Sequence, residues 1–258
     1  MTTQQYAEVA SEILNRRVNG TQGESFAQSA PQSIEDALAI QAAVTELWCE
    51  SQDDSIGGWK CLEPSATVTV VAPIYTRTIN SVAPVSMFAE RGVARIEPEL
   101  AFIMGEDLPP RDTPYTHAEI DAAIGRTHMA LELLHCRFTA PEMCSFPEKL
   151  ADGLVNQGLF IGPEIDSVAA IDASRFEIEV TYNGETFTFD GVHPNGLPRK
   201  PLYWLVEFLR SRGQGLVKGQ AVITGSYAGV IEVPFNTDMT ISYKNLGQMS
   251  VEFTPKSA

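Results

Sequence analysis

The chain begins with helical periodicity and then changes to strand-like runs. From Thr3 to Arg17, apolar residues fall at Tyr6, Val9, Ala10, Ile13 and Leu14, and Gly20 is a stop. Ser33-Ile34-Glu35-Asp36 resembles a capping box with Asp in place of Glu. It opens a second helix through Ala37, Ile40, Val44, Leu47 and Trp48, after a polar loop with Gly23 and Pro31. From about Ser55 the runs shorten: IGGWKCL, VTVVAPIY and RIEPELAFIM are apolar or β-branched and broken by Gly and Pro, as strands are. Thr116-His117-Ala118-Glu119 is a second capping box, starting a short helix through Ile120 and Ile124. The run HMALELLHCRF reads as helix or as strand. FEIEVTYNGETFTFDG predicts a hairpin turning at Asn183-Gly184. Pro201 to Arg212 predicts a helix with Leu202, Leu205, Val206 and Leu209 inward and Gly213 at its end. QAVITGSYAGVIEV and MTISYKNLGQMSVEF supply closing strands. Helices first and a mixed strand-rich body after them predict the α+β class. The division is an N-terminal helical part, 1–54, and a β-rich body, 55–258, or one continuous domain.

Composition narrows the partners. With 258 residues, 44% hydrophobic and 20% charged, the chain has the makeup of a soluble globular protein. Its net charge of −15 argues against nucleic acid and against an anionic membrane surface. An anionic ligand would need local positive charge or a cation. No apolar run reaches the roughly 18 residues of a membrane helix. The N-terminal MTTQQYAEVASEILNRR is polar and amphipathic rather than a signal peptide, so a cytoplasmic location is expected. Cys49, Cys61, Cys136 and Cys144 show no CxxC spacing and read as buried free thiols.

Three places carry candidate chemistry. Glu97 and Glu99 stand two apart in the apolar run RIEPELAFIM, so on a strand both face the same way. Such a pair is either a solvated face or two ligands of a hard cation such as Mg²⁺. Glu132, in the apolar run MALELL, is the candidate third ligand. A rival reading puts His128, Glu132 and His135 on one helical face as a zinc or iron site, and it fails if the run is a strand. Lys60, in GGWKCL, reads either as a catalytic lysine or as a snorkelling surface lysine. Thr224-Gly225-Ser226-Tyr227-Ala228-Gly229 is either an anion-accepting loop or a tight turn. P-loop, Rossmann and GxSxG signatures are absent.

Five segments, and the order in which they come from about Ser33 onward, carry a family resemblance: IGGWKCL, RIEPELAFIMGEDLP, ALELLHCR, LADGLVNQGLFIG and PLYWLVEFLRSRGQGLVKGQAVITGS. They resemble the fumarylacetoacetate hydrolase superfamily, in its 2-keto-4-pentenoate hydratase and 4-oxalocrotonate decarboxylase branch. The resemblance implies a mixed β-roll or sandwich body behind an N-terminal helical part. It implies that Glu97, Glu99 and Glu132 hold Mg²⁺ or Mn²⁺, that Lys60 and Asp152 are catalytic, and that Ser226 meets the substrate carboxylate. It further implies a lyase in aromatic-compound catabolism, acting on a small 2-oxo or 2-hydroxydienoic acid through an enolate. Hydratase ranks first, then decarboxylase, then acylpyruvate hydrolase. Homo-oligomers are expected, alone or in complex with a partner lyase, and a non-catalytic metal- and 2-oxo acid-binding or scaffolding subunit is the alternative. Four departures stand out. The acid of the usual Asp-x-Pro-x-Phe-Gly segment is missing from Val71-Ala72-Pro73-Ile74-Tyr75-Thr76, and the stretch from Lys60 to Pro73 is shortened. His135-Cys136-Arg137 replaces Asp-Ser-Arg, and Gly153 stands where Asn is usual. Water addition therefore lacks its usual acid–base pair, with Lys60 or His135 as candidate substitutes.

Overall fold

A computed structural model describes residues 2–66 and 68–256. Helix α1 (Thr3–Asn19) begins with a reciprocal cap between Thr2 and Gln5 and ends at Gly20 in the left-handed region, φ +63°. Helix α2 (Ile34–Gln52) starts where the Ser33 hydroxyl accepts the Asp36 N–H. Next come β1 (Ile56–Cys61), β2 (Val71–Tyr75), β3 (Ile79–Asn80), β4 (Val85–Met87) and β5 (Ala94–Met104). Helix α3 (His117–Ala123) follows the Thr116 capping box but stops one residue before Ile124, which opens β6 (Ile124–Leu134). Then follow α4 (Phe146–Ala151), β7 (Asn156–Ile165), α5 (Ser167–Ile171), β8 (Arg175–Tyr182) and β9 (Glu185–Val192). Helix α6 (Lys200–Arg210) and strands β10 (Ala221–Ile223), β11 (Ile231–Val233), β12 (Met239–Tyr243), β13 (Gly247–Val251) and β14 (Phe253–Pro255) complete the order. The hairpin turns where predicted, with Asn183 and Gly184 both at positive φ. All four cysteines are free, and three of them are buried.

The main sheet runs β2-β1-β10-β5-β6-β7-β3, with β11 also on β5; a second sheet runs β13-β12-β8-β9. Strands β2 and β7, from opposite ends of the main sheet, touch, so the sheet is curled. Alternation then gives it two different faces. On β5 the outward set is Ile96, Leu100, Phe102 and Met104. Ile96 and Leu100 pack among Ile178, Val180 and Ile241 of the second sheet, whereas Phe102 and Met104 pack with α1, α2 and α6 through Ile13, Ile40 and Leu205. The inward set is Glu97, Glu99, Ala101 and Ile103, above a small floor of Ile74, Ala130, Leu159, Ala221 and Ile223. This is the α+β, helix-then-roll architecture expected. No helix among the described residues is long and apolar enough to cross a membrane.

Of the two readings of HMALELLHCRF, the strand is the one the structure takes. Its first part, His128 to Leu134, belongs to β6, which pairs on both sides, with β5 and β7, because a run apolar in both alternating sets is buried on both faces. His135 lies past the end of the strand, and His128 Nδ1 is bonded to the Gly162 carbonyl, so the His-Glu-His site does not form. The short α4 and α5, and the edge strands β3 and β4, gave no periodic signal long enough to read.

Gly58 is required where β1 and β10 approach: a Cβ there would stand 2.3 Å from the Ala221 carbonyl oxygen. Gly58→Ala is expected to cost about 1–3 kcal/mol by overpacking. That corresponds to a fall in Tm of roughly 2–4 °C per kcal/mol, read by thermal unfolding.

Candidate metal centre

Pairing of β5 with β6 sets Glu97 directly opposite Glu132, and Glu99 lies one inward position along β5. The result is three carboxylates with a ligand atom each, all within 4.8 Å of one another. Glu132 is 0% exposed and Glu99 2%, with Glu97 half-buried. Lys60 reaches in from β1, two strands away, and donates from Nζ to Glu132 Oε1 at 2.7 Å and to the Leu154 carbonyl at 3.3 Å. The amide of Asn156 donates to the same Glu132 oxygen at 2.9 Å. Glu99 Oε2 accepts the Gly225 N–H at 2.6 Å.

These groups are taken out of water on a largely apolar floor, which disfavours their charge. Burial, and then the neighbouring Glu132, push the Glu97 carboxyl up to about 7. Burial drives Glu99 well above the ordinary range, with Glu132 and Glu97 adding to the effect. Burial works against the Lys60 charge, but Glu132, Glu97 and Glu99 outweigh it and leave the ammonium stabilised. One lysine therefore faces three carboxylates, and Glu132 Oε2 is buried with no hydrogen-bond partner. An orphaned carboxylate oxygen beside two more is the donor set a hard divalent cation takes. Oxygens about 2.1 Å from a shared Mg²⁺ stand roughly 3–4 Å apart, so little closure is needed.

The remaining candidates lie around this cluster. The Ser226 hydroxyl donates to the Gly229 carbonyl, folding the loop whose Gly225 N–H reaches Glu99. Asp152 is buried in an ion pair with Arg137 at 2.6 Å; no hydrogen bond or ion pair among the described residues joins it to Lys60 or the glutamates. It begins the segment that does. Gly153, Leu154 and Val155 all have positive φ, a costly path for a β-branched residue. That path turns the Leu154 carbonyl toward Lys60 and leads into Asn156. The His135 ring is buried, its Nδ1 unpartnered, and burial with the nearby Arg137 lowers its pKa to about 4, so it is neutral at pH 7. Val71 to Tyr75, where the family's acid is absent, are all buried, and Ala72 is the partner of Lys60 in the β1–β2 register. Sequence reasoning missed Asn156. Its signal was an amide opening the apolar run NQGLFIG, one strand over from Glu132.

Two outcomes test the donor set. Glu132→Gln and Glu97→Gln should each weaken Mn²⁺ binding by at least 10-fold while circular dichroism stays unchanged; undiminished affinity in both would exclude the centre. Asn156→Ala should weaken Mn²⁺ by about 10–100-fold, as loss of a group that orients a ligand does, read by calorimetric titration.

No family model matches the chain. A 4-oxalocrotonate decarboxylase from Pseudomonas sp is 23% identical over 168 residues, covering 62% of this chain and 60% of the relative. A 2-keto-4-pentenoate hydratase 2 from Dechloromonas aromatica (strain RCB) is 25% identical over 161 residues, with the same 62% and 60% coverage. The chain thus matches less than two thirds of the length of either relative. Among solved structures, 4-oxalocrotonate decarboxylase from Pseudomonas putida G7 superposes with a TM-score of 0.78 over 98% of both chains at 20% identity. It was solved with calcium and acetate and with magnesium and adipate. Over its whole length the chain has the fold of 4-oxalocrotonate decarboxylase, and its sequence is similar to that of a decarboxylase and of a hydratase, in line with the resemblance its motif order carries.

Proposed function

We propose that the chain is a Mg²⁺- or Mn²⁺-dependent lyase acting on a small 2-oxo acid, and that its reaction is loss of CO₂ from a second carboxylate placed β, or vinylogously β, to the keto group. The observation that carries the choice is the strand beside Lys60, Val71 to Tyr75, which is buried throughout and holds no acid. Adding water to a dienoate needs a base to activate the water and an acid to protonate carbon. Decarboxylation needs an electron sink and one proton donor. Lys60 is a buried, charged donor at the edge of the three carboxylates, and no acid stands beside it on β2.

Glu97, Glu99 and Glu132 would hold the cation. When bound, it supplies a Lewis acid for the negative charge that develops on the substrate's keto oxygen. The apolar floor of Ala101, Ala130, Leu159 and Ile223 keeps water away and strengthens each charge interaction. As the C–C bond breaks, its electron pair stays with the conjugated 2-oxo system and CO₂ departs. Lys60 Nζ then gives a proton to the substrate and regains one from solvent. Ser226 is the residue of the Gly225 loop available to a substrate carboxylate. Asp152 acts at a distance: paired with Arg137, it fixes the strained turn that presents Leu154 and Asn156. The similarity of the decarboxylase over the whole chain supports this reading. Hydration of a 2-hydroxydienoate, the first expectation from motif order, is the second reading, supported by the hydratase relative.

Incubation with Mg²⁺ and 2-hydroxydienoic and 2-oxo dicarboxylic acids, following dienol absorbance and CO₂ together, decides between them. Stoichiometric CO₂ is expected; consumption without CO₂ would establish the hydratase, and binding without turnover a non-catalytic subunit. Lys60→Ala should lower turnover by about 10²–10⁴-fold, the usual scale of a proton-transfer group, with Mn²⁺ affinity changed far less. An unchanged rate would remove Lys60 from the chemistry.

A further inference from the structure

A polar cavity lies on the opposite face of the main sheet from the metal centre. Its volume is about 270 Å³, and Arg17, Arg77, Arg137, Lys256, Tyr75 and Gln157 line it. Leu133 and Gln157, which face it, alternate along β6 and β7 with Glu132 and Asn156, so strand geometry turns them away from the carboxylate cluster. In a chain of net charge −15, four cationic side chains and no carboxylate among the described residues meet at this wall.

The local charge is only partly matched. Arg137, 1% exposed, uses Nε and Nη2 on Asp152. Arg77 has only a loose contact with Asp53, at 3.9 Å between largely exposed groups. Arg17 and Lys256 have no carboxylate partner among the described residues. Arg17 spends Nη1 on the carbonyls of Asp152 and Asn156 and stacks its guanidinium 5.4 Å from the Tyr75 ring. Lys256 Nζ lies 4.7 Å from the Phe88 ring. The Nε and Nη2 groups of Arg17 and Nη1 of Arg137 make no hydrogen bond within the described protein. Two guanidiniums close enough to disfavour each other are therefore held beside an open space. Burial, followed by Arg137, lowers the Arg17 pKa to about 10, which still leaves it charged at pH 7.

We propose that this cavity binds a small doubly charged oxyanion, a phosphate or a short dicarboxylate, between Arg17, Arg137, Arg77 and Lys256. Paired N–H groups of arginine suit the oxygens of such an anion, and the charge it brings offsets the unmatched cations. The volume falls just below the roughly 300 Å³ at which drug-sized pockets begin, so a compact anion fits and a nucleotide does not. Because Arg17 also holds the carbonyl of Asn156, whose amide holds Glu132, an occupant here is one side chain removed from the metal ligands.

The test is calorimetric titration of the full chain, in EDTA and at constant ionic strength set with NaCl, with sodium phosphate in one arm and sodium succinate in the other. Saturable binding near one per chain is expected in at least one arm, and the arm that responds names the ligand class. The Arg77→Ala/Lys256→Ala variant, altered only at exposed side chains, should bind at least 10-fold more weakly. Glu97→Gln should bind as the unmodified chain does, whatever the fate of the lyase reading. Heats no larger than the NaCl blank in both arms, or binding untouched by Arg77→Ala/Lys256→Ala, would overturn the proposal. Binding lost in Glu97→Gln would assign the anion to the metal centre instead.

Discussion

Three carboxylates share one buried face of a curled sheet, and the surrounding structure is arranged to make that bearable. Each of them alone would pay several kcal/mol for leaving water. Here a lysine from β1, an asparagine amide from β7 and a backbone N–H from the loop after β10 converge on the same few oxygens. The charge is still under-compensated, as the raised Glu97 and Glu99 and the orphaned Glu132 oxygen record. A site in that state is set up for a divalent cation, and the fold supplies the frame that prevents the carboxylates from separating.

The frame works because the sheet has two kinds of face. The outer face is a conventional core, filled by Ile96, Leu100, Phe102 and Met104 against a second sheet and three helices. The inner face has small apolar residues beneath the charged ones. Rigid packing outside and sparse packing inside leave the charged groups fixed in direction but with room around them. The strained path through Gly153, Leu154 and Val155 belongs to the same device: it spends backbone strain to aim one carbonyl and one amide at the cluster. Asp152 and Arg137, ion-paired behind it, anchor the start of that path.

Charge is also sorted across the sheet. The inner face collects carboxylates around Lys60, while the far side of β7 collects Arg17, Arg137 and Lys256. Arg17 touches both regions through the carbonyl of Asn156. A net charge of −15 conceals this separation, because a sum carries no position.

By itself the sequence determined the elements with long or well-punctuated patterns: α1 and α2 from their spacing and caps, the Asn183-Gly184 hairpin from its turn chemistry, and β5 from its apolar run. It also put Glu97 and Glu99 on one face, since strand alternation is local geometry. Local pattern could not choose between helix and strand for the Glu132 run, since a segment buried on both faces has no distinctive period; pairing with β5 and β7 chose. The tertiary structure alone brought Glu132 opposite Glu97, delivered Lys60 and Asn156 to one oxygen, and gathered the four cations around a cavity. Each of these depends on strand register and sheet curl, which are fixed by contacts between residues far apart in the chain.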